Sequence, residues 1–420
     1  MERIAIVGAG VSGLVAAHLL RRRHHVVVFE RSSQAGGHAH TVRVDTADAT
    51  HWVDTGFIVF NDRNYPNFER LITQLGVTSQ PSQMSFSVSD ERGRFEYSSR
   101  NFNGLFATRR HLVTPSFHRM VAEVPRFQRA ARRLLDDRMT DERLSLRDWL
   151  ASERFSGAFV DRLIAPQVAA VWSMAPEQLS TFPARFLARF FHNHGMLGLS
   201  DRPLWRTVTG GSVRYVDALT RPLHDGGALR LDTPVRTITR DEDGIVIVAG
   251  PEGRTERFDH VVIAAHSDEA LAMLGDPSER ERELLGAIPY QENEAVLHTD
   301  AALLPQRERA WASWNYHLLD EPRSRSTVTY HLNRLQSLQA SEQFCVTLNL
   351  TERIAPTRII DRFRYAHPVF TPTGIRAQTR IAEISGERRT HFCGAYWGWG
   401  FHEDGVRSGL RVAAAFGEYL

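Results

Sequence analysis

The chain has 420 residues, 42% of them hydrophobic and 24% charged, with a formal net charge of +2. That length exceeds what one small core holds and implies two or three subdomains; the near-neutral balance gives no global reason to expect a nucleic-acid partner. All 51 residues counted as Lys or Arg are arginine, and the two cysteines, Cys345 and Cys393, lack CxxC spacing, which argues against a disulfide framework or zinc site and fits a reducing cytoplasm.

The first stretch, RIAIVGAGVSGLVAAHLLRRRHHVVVFE, reads as strand, turn, helix, strand. Ile4 to Val7 form the first apolar run, and Val26 to Phe29 form the second. Between them Gly8, Gly10 and Gly13 spell G-x-G-x-x-G before a helix that begins near Ser12, and Glu30 closes the second strand. Gly8 allows the tight turn, Gly10 admits a pyrophosphate to the backbone, and Gly13 lets helix and strand approach. The helix N-terminus offers free N–H groups to phosphate, and Glu30 suits a ribose hydroxyl. A dinucleotide site is expected here. No signal peptide is seen before the first strand, and no apolar run approaches the roughly 20 residues of a membrane-spanning helix.

Further along, ERSSQAGGHAHTV and HWVDTGFIVFNDRNYPNFERLITQLGV carry Gly36, Gly37, His38, Thr41, Asp54 and Gly56 in order. His38 and His40, two apart, have the look of a metal pair, but no third ligand at suitable spacing accompanies them, so no metal is expected. FERLITQLGV predicts a helix and Met84 to Tyr97 a β-like stretch. Helices rich in arginine follow: Arg109, Arg110, Arg119, Arg126, Arg129, Arg132 and Arg133. Their basic face is read either as a solvated surface or as a contact for anionic phospholipid or an acyl carrier. Phe182, Phe186, Phe190 and Phe191 recur at helical spacing, as core or as the lining of an apolar tunnel. Gly210 and Gly211 precede an amphipathic helix. Strands then lead through a hairpin at Asp243-Gly244 to a buried strand Val261 to Ala264. Near the C-terminus a strand ends at Cys393-Gly394, and a helix is expected to start near Gly405.

These ordered motifs resemble the flavoprotein superfamily of amine oxidases, protoporphyrinogen oxidase and phytoene desaturases, over nearly the whole chain. The segments QPSQMSFSVSDERGRFEYSSRNFNGLFATRRHL and WGWGFHEDGVRSGLRVA are similar to those of a bacterial subgroup of FAD-dependent oxidoreductases. That subgroup resembles the N-terminal flavin domain of plant cyclopropane fatty acid synthases. The resemblance implies an α/β fold, a Rossmann-like FAD-binding domain (GR2-type) with an interleaved α+β substrate domain. It divides the chain into FAD-binding parts 1–75, 206–275 and 381–420 and substrate-domain parts 76–205 and 276–380. It implies non-covalent FAD held by Gly8, Gly10, Gly13, Glu30, Arg31, Gly36, Gly37, His38, Thr55, Gly56, Val235, Ala264, Gly394, Gly405 and Val406. The superfamily usually has Arg or Lys where His38 stands, so a pH-sensitive phosphate contact is expected, and an acid where Ala395 stands. Cys393 is read as a buried structural thiol rather than a flavin attachment.

The chemistry implied is hydride removal from an apolar, fatty-acyl substrate to give an alkene. Lipid methyltransferases, which often accompany the subgroup, are expected partners, with peripheral membrane contact and no nucleic acid. The absence of lysine removes the lysine-held water that many amine oxidases of this fold place at the flavin, and a permanently protonated arginine does not replace it as a proton relay. His402, Glu403, Trp397 and Trp399 are the candidate catalytic residues; Asp404 and Glu403 are also read as helix caps. Trp172, Trp314 and Tyr316 are further pocket candidates, and His192 with His194 a second histidine candidate. Amine or amino-acid oxidation, redox-neutral isomerisation and a non-catalytic flavin-bearing subunit remain open as rivals.

Overall fold

Apolar runs far apart in the sequence lie side by side in the computed structural model, which describes residues 1–137, 141, 143–174, 176–198, 203–321 and 323–420. Ile4, Ala5, Ile6, Val261, Val262 and Ile263 are fully buried, as strands covered on both faces must be. They belong to a five-stranded sheet in the order Leu229–Arg230, His25–Phe29, Arg3–Val7, His260–Ile263 and Thr390–Phe392. Every neighbouring pair in it is parallel. The helix Val11–Leu20 leaves the first strand and packs on the C-terminal helix His402–Ala415.

A seven-stranded sheet forms the second layer. Its order is Ile359–Pro368, Tyr290–His298, Cys345–Leu348, Val328–His331, Trp314–Leu318, Phe86–Asp90 and Glu96–Ser98. Its pairs are antiparallel except Trp314–Leu318 with Phe86–Asp90. Helices from the intervening sequence cover it, among them Pro115–Asp136 and Ala184–Asn193, and share its core through Phe127, Phe159, Phe182 and Phe191. The fold is therefore α/β, with a Rossmann-like sheet and an interleaved α+β portion.

Three expectations meet their outcome locally. The helix in FERLITQLGV spans Pro66–Gln74, and the β-like stretch resolves into two strands. The hairpin turns where Asp241 pairs with Gly244. The C-terminal helix begins at His402, three residues earlier than Gly405, because the Asp404 carboxylate accepts from the N–H groups of Phe401 and Trp399 and draws the preceding loop into its first turn.

Candidate active site

The parallel sheet delivers four predicted residues to one edge. Gly8 follows Val7, Glu30 follows Phe29, Ala264 follows Ile263, and Gly394 lies two residues past Phe392, so all four stand at strand C-terminal ends, where ligands of open parallel sheets bind. They line one cavity of about 1850 Å³, together with Gly10, Arg31, Gly36, Gly37, His38, Thr55, Gly56 and Val235. The Glu30 carboxylate accepts from the N–H of Ala9 at 2.8 Å and of Ser32 at 2.9 Å, which ties the glycine turn to the strand end and leaves further lone pairs. Arg31 points to the same edge and pairs with Glu269.

The three motif glycines serve different purposes. A Cβ on Gly13 would lie 2.0 Å from the Gly8 carbonyl oxygen, so only glycine lets helix meet strand there. A Cβ on Gly10 would meet nothing within 4 Å: the space beside it belongs to the cavity, at the N-cap of Val11–Leu20. Gly36 donates to the Ala9 carbonyl at 2.8 Å, which lays the second glycine loop against the first. An open glycine at a helix N-terminus, walled by a second glycine loop and an acid, fits a dinucleotide pyrophosphate and ribose. Gly405 and Val406 stand outside this lining. Gly405 packs on Val11, and Val406 is wholly buried.

Most candidate catalytic residues are placed elsewhere by the structure. Trp397 is buried beside Tyr396 in the core that includes Ala5, Val27 and Val261 of the parallel sheet, and Trp399 packs on Phe186 at 4.3 Å between ring centroids; neither lines the cavity. The short helical turn Ala395–Trp397 presents Tyr396 to it instead. Glu403 accepts from the N–H of Asn67 and Phe68 and from the Asn67 amide, so it caps the helix Pro66–Gln74, 335 residues away in sequence from Phe68. His402 does line the cavity. Its ring stacks on Phe57 at 3.7 Å, its Nε2 pairs with the Tyr215 hydroxyl at 2.6 Å, and burial pushes its pKa down to about 3. It is a neutral, anchored wall, its Nε2 already engaged by the Tyr215 hydroxyl. Of the remaining candidates, Trp314 and His194 line the cavity, whereas Trp172, Tyr316 and His192 do not.

Beside the second glycine loop lies a group that the sequence did not announce. The His38 ring sits 5.1 Å from Tyr365, 5.4 Å from His367 and 6.0 Å from His266, and His266 stacks on Tyr290 at 4.5 Å. All five residues line the cavity. Burial first, then the neighbouring imidazoles, hold His38 well below the ordinary histidine range. The expected pH-sensitive phosphate contact is therefore corrected: His38 is neutral around pH 7, and its buried Nε2 has no partner among the described residues. Tyr365 and His367 stand two apart on one strand, a spacing that shares one face, but nothing local brings them to residue 38. His40 goes its own way, to the Thr55 hydroxyl at 2.8 Å, and the Thr55 hydroxyl bonds Tyr365 at 2.7 Å. Among the described residues no group of three or more His, Cys, Asp or Glu is arranged for a metal.

Past this group the cavity turns apolar. Met84, Leu105, Met120, Phe127, Ile164 and Phe190 line it, and Phe191 joins them, whereas Phe182 and Phe186 stay in the core. The helical arginines are surface groups: Arg119 and Arg126 pair with Glu123, and Arg133 with Glu153. Cys393 is fully buried, outside the lining, with its thiol pushed up to about 12 by burial.

The family profile described as flavin-containing amine oxidoreductase matches residues 11–416. AofH of Mycobacterium tuberculosis, which carries the name of a flavin-containing monoamine oxidase, is 27% identical over 290 residues; the match spans 65% of this chain and only 59% of AofH. Cyclohexylamine oxidase from Brevibacterium oxydans superimposes with a TM-score of 0.71 at 17% identity, over 99% of this chain and 98% of that one. A fatty acid isomerase from P. acnes that produces CLA does so with a TM-score of 0.67 at 15% identity, over the same shares. These two superpositions establish the fold, and the profile establishes more: the chain belongs to the flavin-containing amine oxidoreductase family, with FAD as its cofactor.

Proposed function

We propose that the protein is an FAD-dependent oxidoreductase acting on an apolar, fatty-acyl type of chain, from which a hydride and a proton leave adjacent carbons to form a C=C bond. The observation that carries this reading is the continuity of one cavity from the glycine cradle to a lobe lined by Met84, Leu105, Met120, Phe127, Ile164 and Phe190. Bound FAD would supply the acceptor of both the hydride and the proton, and a reoxidant such as oxygen or a quinone would take the electrons onward. The protein holds the chain in the apolar lobe and keeps water out. Tyr365, His367 and Tyr396 form the neutral wall between cradle and lobe, with Tyr396 held protonated by burial. The lack of lysine in the sequence also favours C–H over amine chemistry. Phe102 and Val113, 71% and 80% exposed beside Arg109 and Arg110, support a bilayer source for such a substrate.

Amine oxidation on the same site is the second reading, favoured by the match to AofH. Anaerobic absorbance at the flavin band separates the two. Bleaching by acyl lipids and not by amines is expected; bleaching by amines alone overturns the acyl reading. A double-bond shift without net bleaching, requiring prior reduction, assigns an isomerase.

A further inference from the structure

Besides Glu30 and Arg31 at the cradle, the Asp, Glu and Arg residues of the described lining are Arg206, Asp268, Glu269, Glu292 and Arg364. Between residues 36 and 265 the described lining includes one side chain of the Asp, Glu or Arg type, Arg206. It lies on the strand Trp205–Val208, where its backbone faces Phe60 on one side and Pro81 on the other. Its Nε donates to the Ser79 hydroxyl at 2.8 Å and its Nη2 to the Ser79 carbonyl at 2.8 Å. Those bonds fix the plane of the guanidinium. They leave the Nη1 donors uncommitted, and no carboxylate among the described residues pairs with Arg206. Leu204, two residues earlier on the same wall, is 68% exposed, so this is a place where the cavity meets solvent. Other lining arginines are differently placed: Arg31 is paired with Glu269 at the cradle, and Arg364 is exposed on the strand that carries Tyr365 and His367.

We propose that Arg206 is the specificity residue that binds the anionic head of a single-chain acyl substrate whose tail fills the apolar lobe. The inference rests on the acyl reading given above. A fixed, permanently charged guanidinium at the rim of an apolar cavity has no carboxylate partner among the described residues, and a carboxylate or phosphate matches its paired donors. A role confined to tying two strands through Ser79 would need no cavity and would not discriminate between ligand heads.

The test uses the FAD-loaded protein and three probes with the same oleyl tail: oleate, oleyl alcohol and oleoyl lysophosphatidate. Binding is read by displacement of a fluorescent fatty acid, independently of turnover. The wild type should bind oleate or the lysophosphatidate at least about tenfold more tightly than the alcohol, the scale of about 1.4 kcal/mol. Arg206→Gln should erase that preference while leaving the alcohol unchanged; Arg206→Lys should restore part of it. Arg364→Gln should leave it intact. Tighter binding of oleate than of lysophosphatidate assigns a free carboxylate, and the reverse order assigns a phosphate head. If Arg206→Gln keeps its flavin spectrum and still prefers the anion, or if the preference is lost in Arg364→Gln instead, the assignment to Arg206 is overturned. If the wild type binds none of the three, the acyl reading itself fails, and Arg206 with it.

Discussion

The two ends of the cavity are built by different rules. At the cradle, residues close in sequence do most of the work: a strand end, a glycine turn and a helix start lie within ten residues, and the partner loop follows within thirty more. The apolar lobe has no such local unit. It draws Met84 from a loop, Phe127 and Phe190 from separate helices and Trp314 from a strand. The first kind of site depends on backbone geometry and fails by single atoms. The second depends on summed apolar contact and degrades by degrees.

The comparison is sharpest at the two neighbouring glycines. Gly10→Val places its side chain in open space, so the protein should fold normally, melt like the flavin-free wild type and emerge colourless, with flavin occupancy near zero by absorbance. A yellow, fully loaded variant would break the cradle assignment. Gly13→Ala should behave in the opposite way. With its Cβ directed at the Gly8 carbonyl it should destabilise the fold by about 3 kcal/mol or more, the upper range of overpacking, read by chemical denaturation. In the lobe, Phe127→Ala should cost about 3–5 kcal/mol of stability, like other buried aromatic truncations, yet leave the flavin content of the folded fraction unchanged.

Acid should act on the wall between the two regions. Burial holds His402 at about 3, His367 at about 4 and His38 well below 6.5. The folded chain then fails to bind protons that the unfolded chain binds, so this contribution to stability is complete above about pH 6.5 and is lost as pH falls toward 4. Asp54 and Asp404, raised to about 7 and about 6 by burial, act in the opposite sense. They are outnumbered by further buried imidazoles near 4, including His194, His298, His317 and His331. Thermal melts at pH 7.5 and pH 5 should show the loss, and an unchanged or higher melting point at pH 5 would contradict it. The smallest effect expected is that of Glu403→Ala. It removes a helix cap, costs about 1–2 kcal/mol by thermal melt, and leaves turnover per bound flavin unchanged.

What was legible in the sequence follows the same division. Gly8, Gly10, Gly13, Glu30, Gly36 and Gly37 could be read because each has a local backbone reason to be where it is. Trp397 and Trp399 were misplaced because one tight turn decides which ring of AYWGW faces inward, and aromatic composition does not encode that phase. Glu403 looked catalytic because its true partners, Asn67 and Phe68, are far away along the chain. The His38, His266 and His367 group was invisible for the same reason: three strand ends or strand edges had to converge first.

Asp54 binds the two constructions together. Its carboxyl accepts from the Thr41 hydroxyl, from the N–H and hydroxyl of Ser212, and from the Gln336 amide, while its own N–H donates back to Gln336. One buried side chain thus rivets the early chain, the segment after the second Gly-Gly turn and the edge of the large-sheet region. A hinge between cradle and lobe would have to break that rivet. Any motion that admits a ligand therefore falls to loops and side chains at the rim, while the separation of rim and cradle stays fixed by that one carboxyl group.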